Sequence, residues 1–117
     1  MIKNKTGVWG ELYTARYLRD NGCRIITSGY SCRFGEIDIV AMQGDTLCFV
    51  EVKTRDEGTL TRPMEAVDEG KQERIRLAAQ SFIAYSKLEN DTRFDVCEVY
   101  LGSDSKAVKI NYIKNAF

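Results

Sequence analysis

The sequence predicts an α+β fold with a mixed sheet, and three observations carry that expectation. An amphipathic stretch near the start is followed by three β-rich runs. The longest helical stretch comes next. Two further β-rich runs follow it, so the elements read α-β-β-β-α-β-β, without a repeat or a low-complexity tract.

Each element has its own local reason. Over residues 6–21, Val8, Leu12, Ala15 and Leu18 recur at helical spacing, and Gly22 follows as a C-cap. Residues 24–28 form a short strand, and 29–35 are expected as a loop. Residues 36–42 and 46–53 are β-rich and flank Gly44-Asp45, the centre of a tight hairpin turn. A polar, glycine-containing segment over 54–62 leads to Pro63, which suits the first turn of a helix running to about Leu88. Val67, Ile75, Ala78 and Phe82 mark its inner stripe, and Gly70 weakens it locally. Residues 93–101 and 107–113 read as strands around the turn Gly102-Ser103-Asp104-Ser105.

At 117 residues the chain is expected to be one domain, residues 1–117. A composition of 44% hydrophobic and 29% charged residues excludes a disordered polar chain. The 17 basic and 17 acidic residues cancel, so any electrostatic footprint for nucleic acid must be local. Histidine is absent, which removes Ser-His-Asp and Cys-His nucleophiles, His-ligated zinc and His general bases. An enzyme built from this chain works with carboxylates, lysine, arginine, tyrosine, cysteine or an oxygen-held metal. Cys23, Cys32, Cys48 and Cys97 lack C-x-x-C spacing and are expected as free thiols. No window is long and apolar enough to span a bilayer, and no apolar run follows the basic residues at the start, so a soluble cytoplasmic protein without a membrane partner is expected.

The stretch GEIDIVAMQGDTLCFVEVKTR, residues 35–55, places acids in the middle of apolar strands. With a two-residue loop, Gln43 faces Thr46, Val40 faces Phe49, Asp38 faces Glu51 and Glu36 faces Lys53. Strand alternation then sets all four charged residues on one side of the hairpin. Opposed carboxylates about 5 Å apart repel by roughly 3 kcal/mol at an effective dielectric near 20, so a positive group belongs between them. Lys53 is one candidate, and a divalent cation is the other, because clustered carboxylate oxygens suit Mg²⁺ or Mn²⁺. Two alternatives stand beside this. The acidic face could be the wet outer face of an antiparallel sheet with Lys53 balancing the acids, and a three-residue loop would shift the pairing by one and separate them. Glu11 falls on the stripe that the first helix should bury, where a charge needs a partner or a metal, unless the stripe's edge is wet. Lys71 falls in the inner register of the long helix between Val67 and Ile75, either as a snorkelling stem or as part of a site.

An acid on one strand and E-x-K on the next is the pattern of the PD-(D/E)xK nuclease superfamily, here Asp38 and Glu51-Val52-Lys53. The surrounding blocks are more specific: Gly10-Glu11, Arg33-Phe34-Gly35-Glu36-Ile37-Asp38, Phe49-Val50-Glu51-Val52-Lys53-Thr54-Arg55, Glu65-Ala66-Val67, Lys71, Arg74-Ile75 and Arg93-Phe94-Asp95-Val96. Together they resemble the YraN-like family of uncharacterised bacterial proteins over nearly the whole chain. That family looks like the Holliday-junction-resolvase branch of the restriction-endonuclease-like fold, which implies an αβββαβ core around a mixed sheet.

The resemblance implies that Asp38 and Glu51 ligate Mg²⁺ or Mn²⁺, with the Val52 carbonyl as a further ligand and Glu11 as the first-helix acid that completes the site. It implies that Lys53 orients the attacking water or meets charge on the phosphate, and that these four charged residues form the catalytic set. Arg33, Arg55, Lys71, Arg74 and Arg76 would form a basic rim for DNA phosphates. The expected activity is metal-dependent hydrolysis of DNA phosphodiesters at branched or structured DNA, with a homodimer suited to symmetric cutting of two strands. A catalytically silent nucleic-acid-binding or adaptor protein on the same fold is the alternative.

Overall fold

A computed structural model of the chain describes residues 5–59 and 67–117. The elements are α1 (Lys5–Asp20), β1 (Arg24–Cys32), β2 (Gly35–Gln43), β3 (Thr46–Asp56), a 3-10 turn at Glu57–Thr59, α2 (Glu69–Ser86), β4 (Asp91–Leu101) and β5 (Ala107–Ile113). The five strands form one sheet in the order β1-β2-β3-β4-β5, antiparallel throughout except for the parallel pair β3–β4. A parallel pair needs a crossover, and α2 supplies it. This is an α+β mixed-sheet architecture compatible with the restriction-endonuclease-like αβββαβ core.

Helices cover both faces of the sheet. Leu18 of α1 joins Ile39, Ala41, Cys48, Val50, Cys97 and Val99 in one core. Ala78, Ala79 and Phe82 of α2 join Val40, Leu47 and Phe49 in the other. Sandwiched in this way, β3 and β4 are apolar on both faces and their core positions are closed to solvent. All four cysteines are free thiols, with Cys23, Cys48 and Cys97 buried. Among the described residues, no helix is long and apolar enough to cross a membrane.

The hairpin follows the predicted register along its closed end, with Gln43 opposite Thr46, Val40 opposite Phe49 and Ile39 opposite Val50. Gly44 takes φ +57 while Asp45 stays at negative φ, the backbone of a two-residue II′ turn.

Four expectations are corrected. The β2–β3 ladder stops at Ile39↔Val50, short of the Asp38–Glu51 and Glu36–Lys53 pairs. The cause is Asp38 itself, whose carboxylate accepts the Val52 N–H at 2.8 Å in place of a backbone carbonyl. Glu36 is exposed and accepts from the Ser31 hydroxyl at 3.1 Å. The loop expected over 29–35 is mostly strand, because β1 pairs with β2 as far as Cys32↔Gly35. Among the described side chains of α1 the buried residues are Gly10, Thr14 and Leu18, while Val8 and Leu12 are 43% and 54% exposed. Finally, α2 begins at Glu69, with the Asp68 side chain capping the Lys71 N–H at 2.8 Å; Val67 is buried ahead of that cap, and Pro63 lies outside the described residues.

Candidate active site

The point where β2 and β3 part is the floor of an open cavity of about 520 Å³. Asp38 arrives from β2 and Glu51 from β3. The wall on one side is the β1–β2 turn with Ser31, Cys32, Arg33, Phe34, Gly35 and Glu36, and on the other it is the first turns of α2, through Lys71, Arg74 and Ile75. Strand alternation turns Glu51 towards α2, on the same face as Phe49, while Val50 and Val52 pack towards α1.

Glu51 is only 7% exposed. Burial, and after it the charge of Asp38, push its carboxyl above the ordinary carboxylate range, and Lys71 pulls the other way. The Lys71 ammonium makes an ion pair with Glu51 Oε1, its own side chain being 44% exposed. A lysine from the crossover helix therefore stands where the hairpin register would have put Lys53. The solvated-face alternative does not hold at Glu51, since α2 and the cavity walls enclose it.

Arg33 and Arg74 lie on the cavity walls with Lys71 and make its rim cationic. The Arg33 guanidinium sits 4.7 Å from the Phe34 ring centroid. Arg55 and Arg76 do not line this cavity. Arg55 donates from Nε to Glu98 Oε2 at 2.8 Å, and the Arg76 guanidinium lies over the Phe117 and Phe94 rings at 5.4 and 6.0 Å. Lys53 is half-buried in register with Glu98, and it is not among the residues lining this cavity. Glu11 is half-buried on α1, beside Gly10, which packs against Val52 and Thr54 of β3; it does not line the cavity either.

Among the described residues, no three acids, cysteines or histidines gather as a ready metal cage. The donor set at the floor is two carboxylates, one of them buried and made costlier to ionise by the charge of the other, opening on a cavity wide enough for solvent and a phosphate. Mg²⁺ and Mn²⁺ suit such a set, because they prefer hard oxygen donors and retain several waters when one or two carboxylates hold them. Asp38 and Glu51 both line the floor and supply oxygen donors of that kind; Val52, whose N–H is bonded to Asp38, does not line the cavity.

Two further buried acids escaped the sequence reading. Asp95 and Glu98 on β4 are both fully buried. Asp95 accepts from Arg93, from the Tyr112 hydroxyl at 2.6 Å and from the Asn115 N–H at 3.1 Å. Glu98 accepts from Arg55, from Asn111 Nδ2 at 3.2 Å and from the Tyr100 hydroxyl at 3.4 Å. The spacing Arg93-x-Asp95 puts both on one face of a strand and was the available signal. Their full complement of partners makes them structural.

The model of the Uncharacterised protein family UPF0102 matches residues 10–99, the span from Gly10 through every residue of the cavity. A UPF0102 protein of Alkaliphilus metalliredigens is 45% identical over 117 residues, covering 99% of this chain and all of that one. Another, from Alkaliphilus oremlandii, is 43% identical over 119 residues with the same coverage. A third, from Caldicellulosiruptor saccharolyticus, is 39% identical over the full length of both chains. The YraN-like resemblance is borne out by these matches.

Proposed function

The chain belongs to the Uncharacterised protein family UPF0102, and we propose that it is a divalent-metal-dependent endonuclease hydrolysing DNA phosphodiester bonds in branched or otherwise structured DNA. One observation carries the reading: Asp38 and the buried Glu51 meet at the floor of an open cavity with a cationic rim. Burial of a carboxylate beside a second carboxylate is expensive, and is the arrangement expected where a cation is to be held. Asp38, Glu51 and the Val52 carbonyl would hold Mg²⁺ or Mn²⁺, which when bound supplies Lewis-acid activation of water and offsets charge on the phosphoryl group. Asp38 is held for this by its hydrogen bond from the Val52 N–H, and Glu51 by Lys71.

Arg33, Lys71 and Arg74 would contact the backbone phosphates, charge-assisted contacts that position DNA without reading its sequence. Lys53 keeps the role implied for it, orienting the attacking water or meeting charge on the phosphate, and Glu11 that of an auxiliary acid. A two-fold pair of chains and a cytoplasmic setting accompany this reading.

Calorimetry with Mn²⁺ on the parent, Asp38→Asn and Glu51→Gln tests it, together with cleavage of plasmid, single-stranded, flap, four-way-junction and RNA substrates by the parent and Lys53→Ala. Metal binding by the parent alone, with junction or flap cleavage dependent on Mn²⁺, is expected. A parent that binds junctions but neither binds Mn²⁺ nor cuts would be a silent nucleic-acid binder.

A further inference from the structure

We propose that Lys71 is a resident counter-ion that a divalent cation must displace from Glu51, and that the displaced ammonium then meets the phosphodiester. Lys71 thereby couples metal loading to substrate binding. The inference rests on the metal-dependent reading of the site above.

Three observations on this chain support it. Lys71 is ion-paired to Glu51, one of the two carboxylates that would hold the metal. Its side chain is 44% exposed and it lies on the cavity wall, so the ammonium can leave Glu51 without being stranded in the core. Its backbone, in contrast, is fixed, because its N–H is held by the Asp68 cap at the start of α2. The stem can swing while its root stays beside the site.

Charge balance gives the direction of coupling. Asp38 and Glu51 supply two negative charges, and Lys71 returns one positive charge. A divalent cation neutralises both carboxylates alone, which leaves the Lys71 ammonium surplus and repelled at short range. A phosphodiester carries one negative charge, so metal, two carboxylates, Lys71 and one phosphodiester sum to zero. With Arg33, Arg74 and Glu36 also on the cavity walls, metal with Lys71 and no anion leaves a cationic excess, which a phosphodiester reduces. Each ligand should therefore raise the affinity of the other, as reciprocal coupling requires.

The test measures Mn²⁺ affinity by calorimetry at pH 8, without DNA, for the parent, Lys71→Met and Lys71→Arg. Lys71→Met is expected to bind Mn²⁺ roughly tenfold more tightly than the parent, the change that follows from removing about 1.4 kcal/mol of competition. Lys71→Arg, which keeps the positive charge, should stay near the parent. Diethyl phosphate, a stable phosphodiester anion, should tighten Mn²⁺ binding to the parent clearly more than to Lys71→Met, in which the metal, Arg33 and Arg74 alone meet the anion. Melting in EDTA establishes that the variants are folded. A folded Lys71→Met with equal or weaker Mn²⁺ affinity overturns the proposal. Should that variant not fold, a parent whose Mn²⁺ affinity ignores diethyl phosphate overturns it instead. Absence of Mn²⁺ binding in the parent would sink the endonuclease reading as well, whereas a parent that binds and a Lys71→Met that gains nothing sinks only the counter-ion role.

Discussion

Glu51 is a carboxyl that the folded chain holds against its solvation preference, since burial and Asp38 both favour its neutral form. The sign of the resulting pH dependence follows directly. Its folded pKa lies above the ordinary carboxylate range, so across the window between the two the folded chain binds the extra proton and stability falls as pH rises. In EDTA, Glu51→Gln should therefore be more stable than the parent near pH 8, by about 1 kcal/mol, as is common for a site held for function. The difference should shrink as pH falls towards 4.5, and melting curves across that range would show it. Asp38 and Glu51 were legible as a pair because two acids interrupt an otherwise apolar hairpin. Lys71 as the partner of Glu51 was only half legible: its helical register pointed inward, but nothing in the sequence says which strand position a helix on the far side of a crossover will meet. Asp95 and Glu98 were hard to see because β4 is buried on both faces, where apolar alternation carries no signal, and only the Arg93-x-Asp95 spacing pointed to one of them.

At the scale of elements, the clearest difference between sequence and structure is the rotation of α1. Its larger apolar residues, Val8 and Leu12, suggest one face, but a smaller stripe of Gly10, Thr14 and Leu18 packs on the sheet. Apolar periodicity weighs size, whereas here close approach decides. A Cβ on Gly10 would stand 2.0 Å from Thr54 Oγ1, 3.2 Å from Thr54 Cβ and 3.3 Å from Val52 Cγ1. The Thr14 hydroxyl returns to the Gly10 carbonyl at 2.9 Å, so its polar group is satisfied within the helix. Gly10→Ala should accordingly destabilise the chain by about 1–3 kcal/mol despite the better helix propensity of alanine. Thr54→Ala in the same chain should recover part of that loss, and urea unfolding of the two variants would measure both. The hairpin was read well because its turn chemistry and strand period are local. Its open end was not, because a side chain took over a backbone hydrogen bond.

For the whole molecule, order is expected to decrease outward from the centre of the sheet. The parallel pair β3–β4 is in continuous register from Thr46↔Asp91 to Asp56↔Leu101 and is covered by helices on both faces. Strands β1 and β5 are edges, and every position in them is half-buried or exposed. Native-state amide exchange should be slowest in β3, β4 and the paired half of β2, and faster in β1 and β5. Protection of β5 equal to that of β3 would contradict this ordering. The fold class was legible because the order of elements restricts the topologies available, and the parallel β3–β4 pair follows from placing a helix between two strands.

The hydrogen bond from Val52 to Asp38 has a consequence for how such a chain can drift in sequence. Asp38 works like the stop on a zip fastener: it ends the hairpin at a fixed tooth and opens the two strands into a fork. On the proposed endonuclease reading, a descendant that gave up chemistry would be free to replace Glu51 with an apolar residue and would be relieved by the change. The same descendant would still need an acceptor at position 38, or the Val52 amide would be orphaned inside the sheet. Loss of activity should thus erode the two acids unequally, with position 51 going first and position 38 lingering as a mark of the fork.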